Sequence, residues 1–245
     1  MNIHNDCCLD YLTRTQEEWD IVITSPPYNM NLRVRGNRYQ KRWKSPNEIS
    51  TKYEHFNDDI LLDKFYDFHK KVLTLLIEKS DLIFYNISIV TGSKKAFFKL
   101  IGDFSHVLKD VIIWHKPQGS PAMNRGVMNR KTEHILIFDK NNSIQRVFKK
   151  RNFSRGTLDD IWKIKREINP CEAHKATFPL ELPSKILRNF STPADRVLDP
   201  FMGTGTTGIA AYNHNCFFTG IEIEKNTFEY AKKRNEQHTK QLRLF

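Results

Sequence analysis

Short apolar runs recur along the chain at the length of buried strands, at residues 20–23, 81–90, 111–114, 134–138, 196–198 and 216–223. Between several of them, residues 61–77, 94–101, 180–190 and 227–237 space their apolar positions three and four apart, the period of an amphipathic helix. Alternating strands and helices predict an α/β fold: a mostly parallel sheet with helices on both faces. Two stretches break the pattern. Residues 29–56 are long and polar, and 117–130 followed by 140–172 show weak periodicity, Gly and Pro punctuation, and the interleaved aromatics Phe148, Phe153 and Trp162. Loops of this length inside a compact domain are usually functional or disordered.

Composition narrows the class. A chain of 245 residues with 39% hydrophobic content suits one domain carrying an inserted lobe. No apolar stretch approaches the roughly 20 residues of a membrane span, and no cationic segment precedes an apolar one at the N-terminus, so a soluble, cytoplasmic protein is expected. Cys7, Cys8, Cys171 and Cys216 lack the paired spacing of a zinc site and read as buried, reduced thiols. No metal is expected.

The formal charge of +11 is concentrated rather than spread. Residues 31–52 hold seven basic residues and one acid, and residues 140–172 hold nine and four. Two basic segments outside the core strands suit a polyanion gripped at defined places, and nucleic acid is the natural candidate.

Two motifs carry the chemistry. After Leu198 the chain passes Asp199, Gly203 and Gly205 and opens a helix with Thr206-Thr207-Gly208. Glycines let backbone approach a ligand, and helix-opening N–H groups offer hydrogen bonds. Glu222 ends the next apolar run 23 residues after Asp199, where an acid can accept the hydroxyls of a ribose. A pyrophosphate gains nothing from the preceding Asp-Pro, whereas a cationic ligand does, so a nicotinamide dinucleotide is disfavoured. The second motif, Ser25-Pro26-Pro27-Tyr28, follows the first apolar run. Both motifs therefore sit at the carboxyl ends of strands, where open α/β sheets bind ligands.

The run from Asp199 to Gly208 resembles the S-adenosylmethionine motif of DNA amino-methyltransferases, and Ser25-Pro26-Pro27-Tyr28 resembles their catalytic motif. With the catalytic motif first and the cofactor motif last, the chain is similar to the circularly permuted beta group, which has a Rossmann-like methyltransferase sheet. The resemblance implies acceptors for the target amine at Ser25 and the Pro26 carbonyl, rigidity from Pro27, and stacking of a flipped base on Tyr28. It implies cofactor contacts from Asp6, placed ahead of the first strand, and from Thr24, His174, Thr177, Phe178, Asp199, Phe201, Gly203, Gly205, Thr206 and Glu222, with Asp199 near the methionine portion. His115 and His134 lie in runs that resemble paired family strands and read as hydrogen-bonded structural histidines.

The organisation so implied is a catalytic half at 1–139 with a mobile basic loop at 29–56, a target-recognition region at 140–172, and a cofactor-binding half at 173–245. Contacts to double-stranded DNA are expected from Arg33, Arg35, Arg38, Arg42 and Lys44, from Arg125 and Arg130, and from Lys149, Lys150, Arg151 and Arg155. Ser25 and the Phe178-Pro179 pair favour cytosine N4 as the methylated atom, with adenine N6 the alternative. The resemblance also admits a homodimer and a cognate restriction endonuclease as partners. Protein-glutamine methyltransferases place the glycine motif first and carry Asn before the prolines, and neither holds here. A non-catalytic nucleic-acid-binding subunit is disfavoured by the intact motifs, and a basic surface alone does not separate DNA from RNA.

Overall fold

The computed structural model describes residues 1–28, 60–90, 92–118, 125–141, 147–167 and 177–242, with the backbone of 34–35 and 38–39. The chain opens with β1 (Asn2–Asn5), α1 (Cys8–Arg14) and β2 (Trp19–Thr24), then a small antiparallel hairpin of β3 (Val34–Arg35) and β4 (Arg38–Tyr39). Next come α2 (Leu62–Lys79), β5 (Ser80–Ile87), α3 (Lys94–Asp103), β6 (Leu108–His115), β7 (Thr132–Asp139) and β8 (Ile161–Lys163). The chain continues through α4 (Glu181–Phe190), β9 (Arg196–Asp199), α5 (Thr206–Asn213), β10 (Phe217–Glu222) and α6 (Lys225–Leu242).

Eight strands form one sheet in the order β1, β10, β9, β2, β5, β7, β6, β8. The pairings are parallel except those of β7, which runs against both β5 and β6. One edge of the sheet therefore gathers the carboxyl ends of the parallel strands and the amino end of β7. From β2 the chain moves toward β5, and from β9 it moves the opposite way toward β10. The crevice at the β2–β9 boundary is thus the topological switch point, the place where such sheets bind ligands.

Strand side chains alternate between two cores, as the period of two requires. Val22, Ile83, Tyr85, Leu136 and Phe138 face α1, α2 and α3. Ile21, Ile23, Leu82, Phe84, Ile135 and Ile137 face α4, α5 and α6. In α4 the buried Leu182, Pro183, Ile186, Leu187 and Phe190 recur at three and four, which is why this segment is a helix docked along one stripe.

The expected α/β architecture is present, with differences of detail. The run 81–90 leaves the sheet at Ile87, and α1, β1 and β8 had no strong periodic signal. Asp6 follows the edge strand β1 instead of preceding the first strand. Trp162 belongs to the core: it has no exposed surface and lies on β8, paired with β6. Phe148 and Phe153 pack against Phe190 with ring centroids 5.2 and 5.4 Å away. These aromatics close the apolar face of α4. Nδ1 of His115 and of His134 is buried and makes no hydrogen bond within the protein. Among the described residues no helix is long and apolar enough to cross a membrane, and no cluster of side chains suits a metal ion.

Candidate active site

Asp199, the last residue of β9, is fully buried. Its carboxylate accepts hydrogen bonds from Thr24 Oγ1 at 2.8 Å, Thr207 Oγ1 at 2.6 Å and the Phe201 N–H at 3.1 Å. Burial pushes its pKa up to about 6 against those three bonds. Asp199 thus organises the turn from beneath, and Thr24, expected at the cofactor, is spent on holding it. Phe201 and Phe68 meet edge to face, with centroids 6.0 Å apart.

The glycines of the turn answer to packing as well as to ligand approach. Gly203 and Gly205 adopt positive φ, 50° and 76°. A Cβ on Gly205 would lie 2.1 Å from Asn235 Nδ2, and one on Gly208 would lie 2.6 Å from Asn235 Oδ1. The buried Asn235 donates from Nδ2 to the carbonyls of Gly205 and Ala231 at 3.2 and 2.9 Å, which ties α6 to the turn. Thr206 Oγ1 accepts from Arg234 at 3.0 Å. Neither α6 residue was singled out by sequence reasoning, because a polar residue in a charged helix carries no mark of burial.

Glu222 closes β10 and faces the same turn. Its Oε2 accepts the Gly203 N–H at 3.0 Å and its Oε1 the Glu224 N–H at 2.9 Å. Burial dominates over those bonds and pushes its pKa up to about 7. Each carboxylate oxygen takes a single backbone donor, which leaves lone pairs for a ligand's hydroxyls. Asp6 lies alongside, its N–H donating to the Glu222 carbonyl at 3.1 Å, while its own carboxylate pairs with Arg14 and the Cys7 N–H. Thr177 and Phe178 are half-buried ahead of α4, and Phe178 packs against the core; His174 lies outside the described residues.

The second motif leaves β2 directly after Thr24, across the switch-point crevice from the glycine turn. Pro26 is buried, and Ser25, Pro27 and Tyr28 are half-buried. Ser25 Oγ and Tyr28 Oη are hydrogen-bonded at 2.7 Å. Behind them, Asn86 Nδ2 donates to Tyr28 Oη at 2.8 Å and to Glu133 Oε2 at 2.8 Å, and Tyr28 Oη donates to the same carboxylate oxygen at 3.2 Å. Lys116 Nζ donates to Glu133 Oε1 at 2.6 Å. Burial, followed by the Glu133 charge, pushes the Tyr28 phenol well above its usual pKa, so it stays protonated. His69 lies under the loop, its Nδ1 2.6 Å from Tyr85 Oη; burial pushes its pKa down to about 3 against the opposing backbone of Pro27.

A family model described as DNA methylase matches residues 19–233. The chain belongs to this N6/N4 DNA methylase family. It is 27% identical over 255 residues to the type II methyltransferase M.MjaI of Methanocaldococcus jannaschii, covering 86% of this chain and 82% of that protein. It is 26% identical over 264 residues to the type II methyltransferase M2.MboI of Moraxella bovis, covering 99% and 90%. Among solved structures, the PvuII DNA methyltransferase, described as cytosine-N4-specific, aligns with a TM-score of 0.69 at 16% identity over 97% of this chain and 89% of that one. The M1.HpyAVI complex with S-adenosylmethionine aligns at 0.64 and 24% identity over 95% and 98%. These likenesses give the same S-adenosylmethionine-dependent methyltransferase fold.

For a DNA methylase the placement of basic residues bears directly on the substrate face, and here one expectation is corrected. Lys150 bonds Asp195 Oδ1 at 2.5 Å and Asp20 Oδ1 at 3.2 Å, beside the points where β9 and β2 begin. It therefore lies at the edge of the sheet opposite Ser25, neutralised by two carboxylates. Asn152 is fixed to the end of α4 through the carbonyls of Arg188 and Asn189, which keeps Lys149 and Arg151 near that edge. Arg155 is exposed a few residues further on. β8 then returns to the reaction edge, since it runs parallel to β6, and there Lys163, Lys165 and Arg166 are exposed. Arg130 stands at the same edge, donating to the Ile89 carbonyl, and Arg125 is exposed in the same connection. The side chains of Arg35 and Arg38, and all of Arg33, Arg42, Lys44 and the expected mobile loop beyond the β3–β4 hairpin, lie outside the described residues.

Proposed function

We propose that this chain transfers a methyl group from S-adenosylmethionine to the exocyclic amine of a base flipped out of double-stranded DNA, with cytosine N4 as the target atom. The observation that carries the reading is the adjacency of the two motif-bearing strand ends, with Thr24 bonded to Asp199 at 2.8 Å and Ser25 next in the chain. A methyl donor over the glycine turn and an amine at Ser25 then meet at one crevice, as reaction by proximity requires. S-adenosylmethionine, when bound, supplies the activated methyl group. Glu222 offers lone pairs to its ribose hydroxyls, and the buried Asp199 contributes negative charge beneath its sulfonium. Asp6, Phe178 and His174 are proposed to border the adenine.

An exocyclic amine is a weak nucleophile because its lone pair is delocalised into the ring. Ser25 Oγ and the Pro26 carbonyl accept its two N–H hydrogens, draw the nitrogen toward tetrahedral geometry and expose the lone pair. The proton leaves once the nitrogen has become cationic, so Ser25 need not act as a base. The cytosine assignment rests on Ser25 and on Phe178-Pro179, and the PvuII neighbour is in keeping with it. DNA is held by the basic residues at the reaction edge. The type II relatives make a cognate restriction endonuclease the partner to seek in the cell, and a homodimer the assembly to test.

Nucleoside mass spectrometry of DNA from cells producing the protein tests the assignment. N4-methylcytosine is expected, absent with Ser25→Ala. N6-methyladenine alone would overturn the choice of base, and neither modification in a cofactor-binding protein would overturn DNA methylation.

A further inference from the structure

The buried network behind Ser25 is polarised by the charged pair at its far end. Glu133 and Lys116 are both buried, and their 2.6 Å contact joins a residue of β7 to the residue that directly follows the antiparallel strand β6. A carboxylate paired with an ammonium group offers lone pairs and no hydrogen. Everything that touches Glu133 Oε2 must therefore donate to it.

Asn86 meets that oxygen at 2.8 Å, so its amide nitrogen, not its oxygen, faces Glu133; the flipped amide would set two acceptors against each other. The two hydrogens of Nδ2 go to its two contacts of 2.8 Å, Glu133 Oε2 and Tyr28 Oη, leaving the 3.3 Å approach to Ser25 Oγ as a minor one. Tyr28 has one hydrogen. Its acceptors are Ser25 Oγ at 2.7 Å, Glu133 Oε2 at 3.2 Å and the Asn86 carbonyl at 3.5 Å, and the charged carboxylate oxygen is the strongest of the three. With its hydrogen so committed, Tyr28 Oη can only accept at the 2.7 Å contact with Ser25. The Ser25 hydrogen points inward, and its oxygen keeps lone pairs for whatever lies on its open side.

We propose that Glu133, paired with Lys116, is a positioning residue that sets the direction of the chain from Ser25 through Tyr28 and so makes Ser25 an acceptor toward the target amine. The inference rests on the methyltransferase reading above and deepens it. Direction matters because the two polarities of Ser25 have opposite effects. As an acceptor it draws on an N–H bond and frees the nitrogen lone pair for the methyl group. As a donor it would bind that lone pair and suppress attack.

The test measures single-turnover transfer of a labelled methyl group from S-adenosylmethionine to unmethylated genomic DNA, with cofactor affinity by calorimetry and folding by thermal unfolding. Glu133→Gln replaces an acceptor by a group that can donate, and should slow transfer by about ten-fold or more with cofactor affinity unchanged. Tyr28→Phe keeps the ring and removes the relay, and should slow transfer similarly. The double variant should be no slower than Tyr28→Phe alone, because Glu133 acts only through that hydroxyl. Should Glu133→Gln fail to fold with Lys116 left unpaired, the pair E133Q/K116M removes both charges and carries the same expectation. Losses that multiply in the double variant, or a Glu133→Gln rate within two-fold of the parent, would overturn the inference alone. A parent protein that binds cofactor and methylates no DNA would overturn the methyltransferase reading and this inference together.

Discussion

Thr24 Oγ1 donates to Asp199 Oδ1 across 2.8 Å, a buried hydrogen bond between the last residue of β2 and the last residue of β9. One strand end carries the Ser25–Tyr28 motif and the other the glycine turn. The bond sets the spacing between the two motifs, and it satisfies a carboxylate that has no exposed surface. Thr24→Val keeps the shape and removes the donor. A loss of about 1–3 kcal/mol in stability is expected from chemical denaturation, with weaker cofactor binding.

Cofactor affinity is expected to depend on pH through Glu222. Its pKa of about 7, raised first by burial from a usual value of 4.5, means that the cofactor-free protein holds a proton that must leave before both oxygens can accept ribose hydroxyls. Affinity should rise about ten-fold per pH unit below 7 and level off above about 8. Calorimetry over pH 6–8.5 checks this, and Glu222→Gln should flatten the profile. The same shift has a stability counterpart. The folded chain keeps a proton that the unfolded chain releases above its ordinary carboxyl pKa, so the wild type should lose stability relative to Glu222→Gln as pH rises from about 4.5 to about 7, with no further loss above that.

Gly205→Ala should be costly for two separable reasons. The position has φ of 76°, and an added Cβ would fall 2.1 Å from Asn235 Nδ2. A left-handed alanine alone costs about 1–2 kcal/mol, and displacement of Asn235 adds to it. In the double variant with Asn235→Ala the 2.1 Å clash is gone, and the added Cβ meets only the backbone strain and a tight 3.3 Å approach to Ala231 Cβ. Unfolding experiments should therefore show the pair losing less than the sum of its parts.

Salt dependence separates the basic residues by the edge they occupy. Replacing Lys165 and Arg166 by Ala should make the slope of log affinity against log salt shallower by about two. Lys150→Ala should leave that slope unchanged while lowering stability, because its partners are Asp20 and Asp195. DNA binding measured at several salt concentrations distinguishes the two.

Much of this organisation is visible in the order of residues. Short continuous apolar runs locate the central strands, and the two motifs locate both sides of the crevice, because those residues meet in space near where each strand ends. Other features are not written locally. In β1, Asn2–Asn5, a single isoleucine stands among polar residues, and the strand exists only because β10 accepts it at the edge. Strand direction has no periodic signature, so the reversal of β7 is invisible. Glu133 reads as a polar residue at the start of a strand. Its burial depends on Asn86 and Tyr28, 47 and 105 residues away. Lys150 shows the converse: a basic cluster suggests a surface for phosphates until the two aspartates that neutralise it are brought alongside.

The reversed strand β7 also separates what can vary from what cannot. Its register against β5 and β6 fixes Glu133 independently of the connection that leads into it, and the Lys116 N–H donates to the Lys131 carbonyl at 2.7 Å, pinching that connection shut at its base. The two ends of the connection from 117 to 130 are therefore fixed at the sheet, whatever its length and sequence between them. Insertions there leave Glu133 in register, while one residue added inside β7 would turn Glu133 to the other face and part it from Asn86, Tyr28 and Lys116.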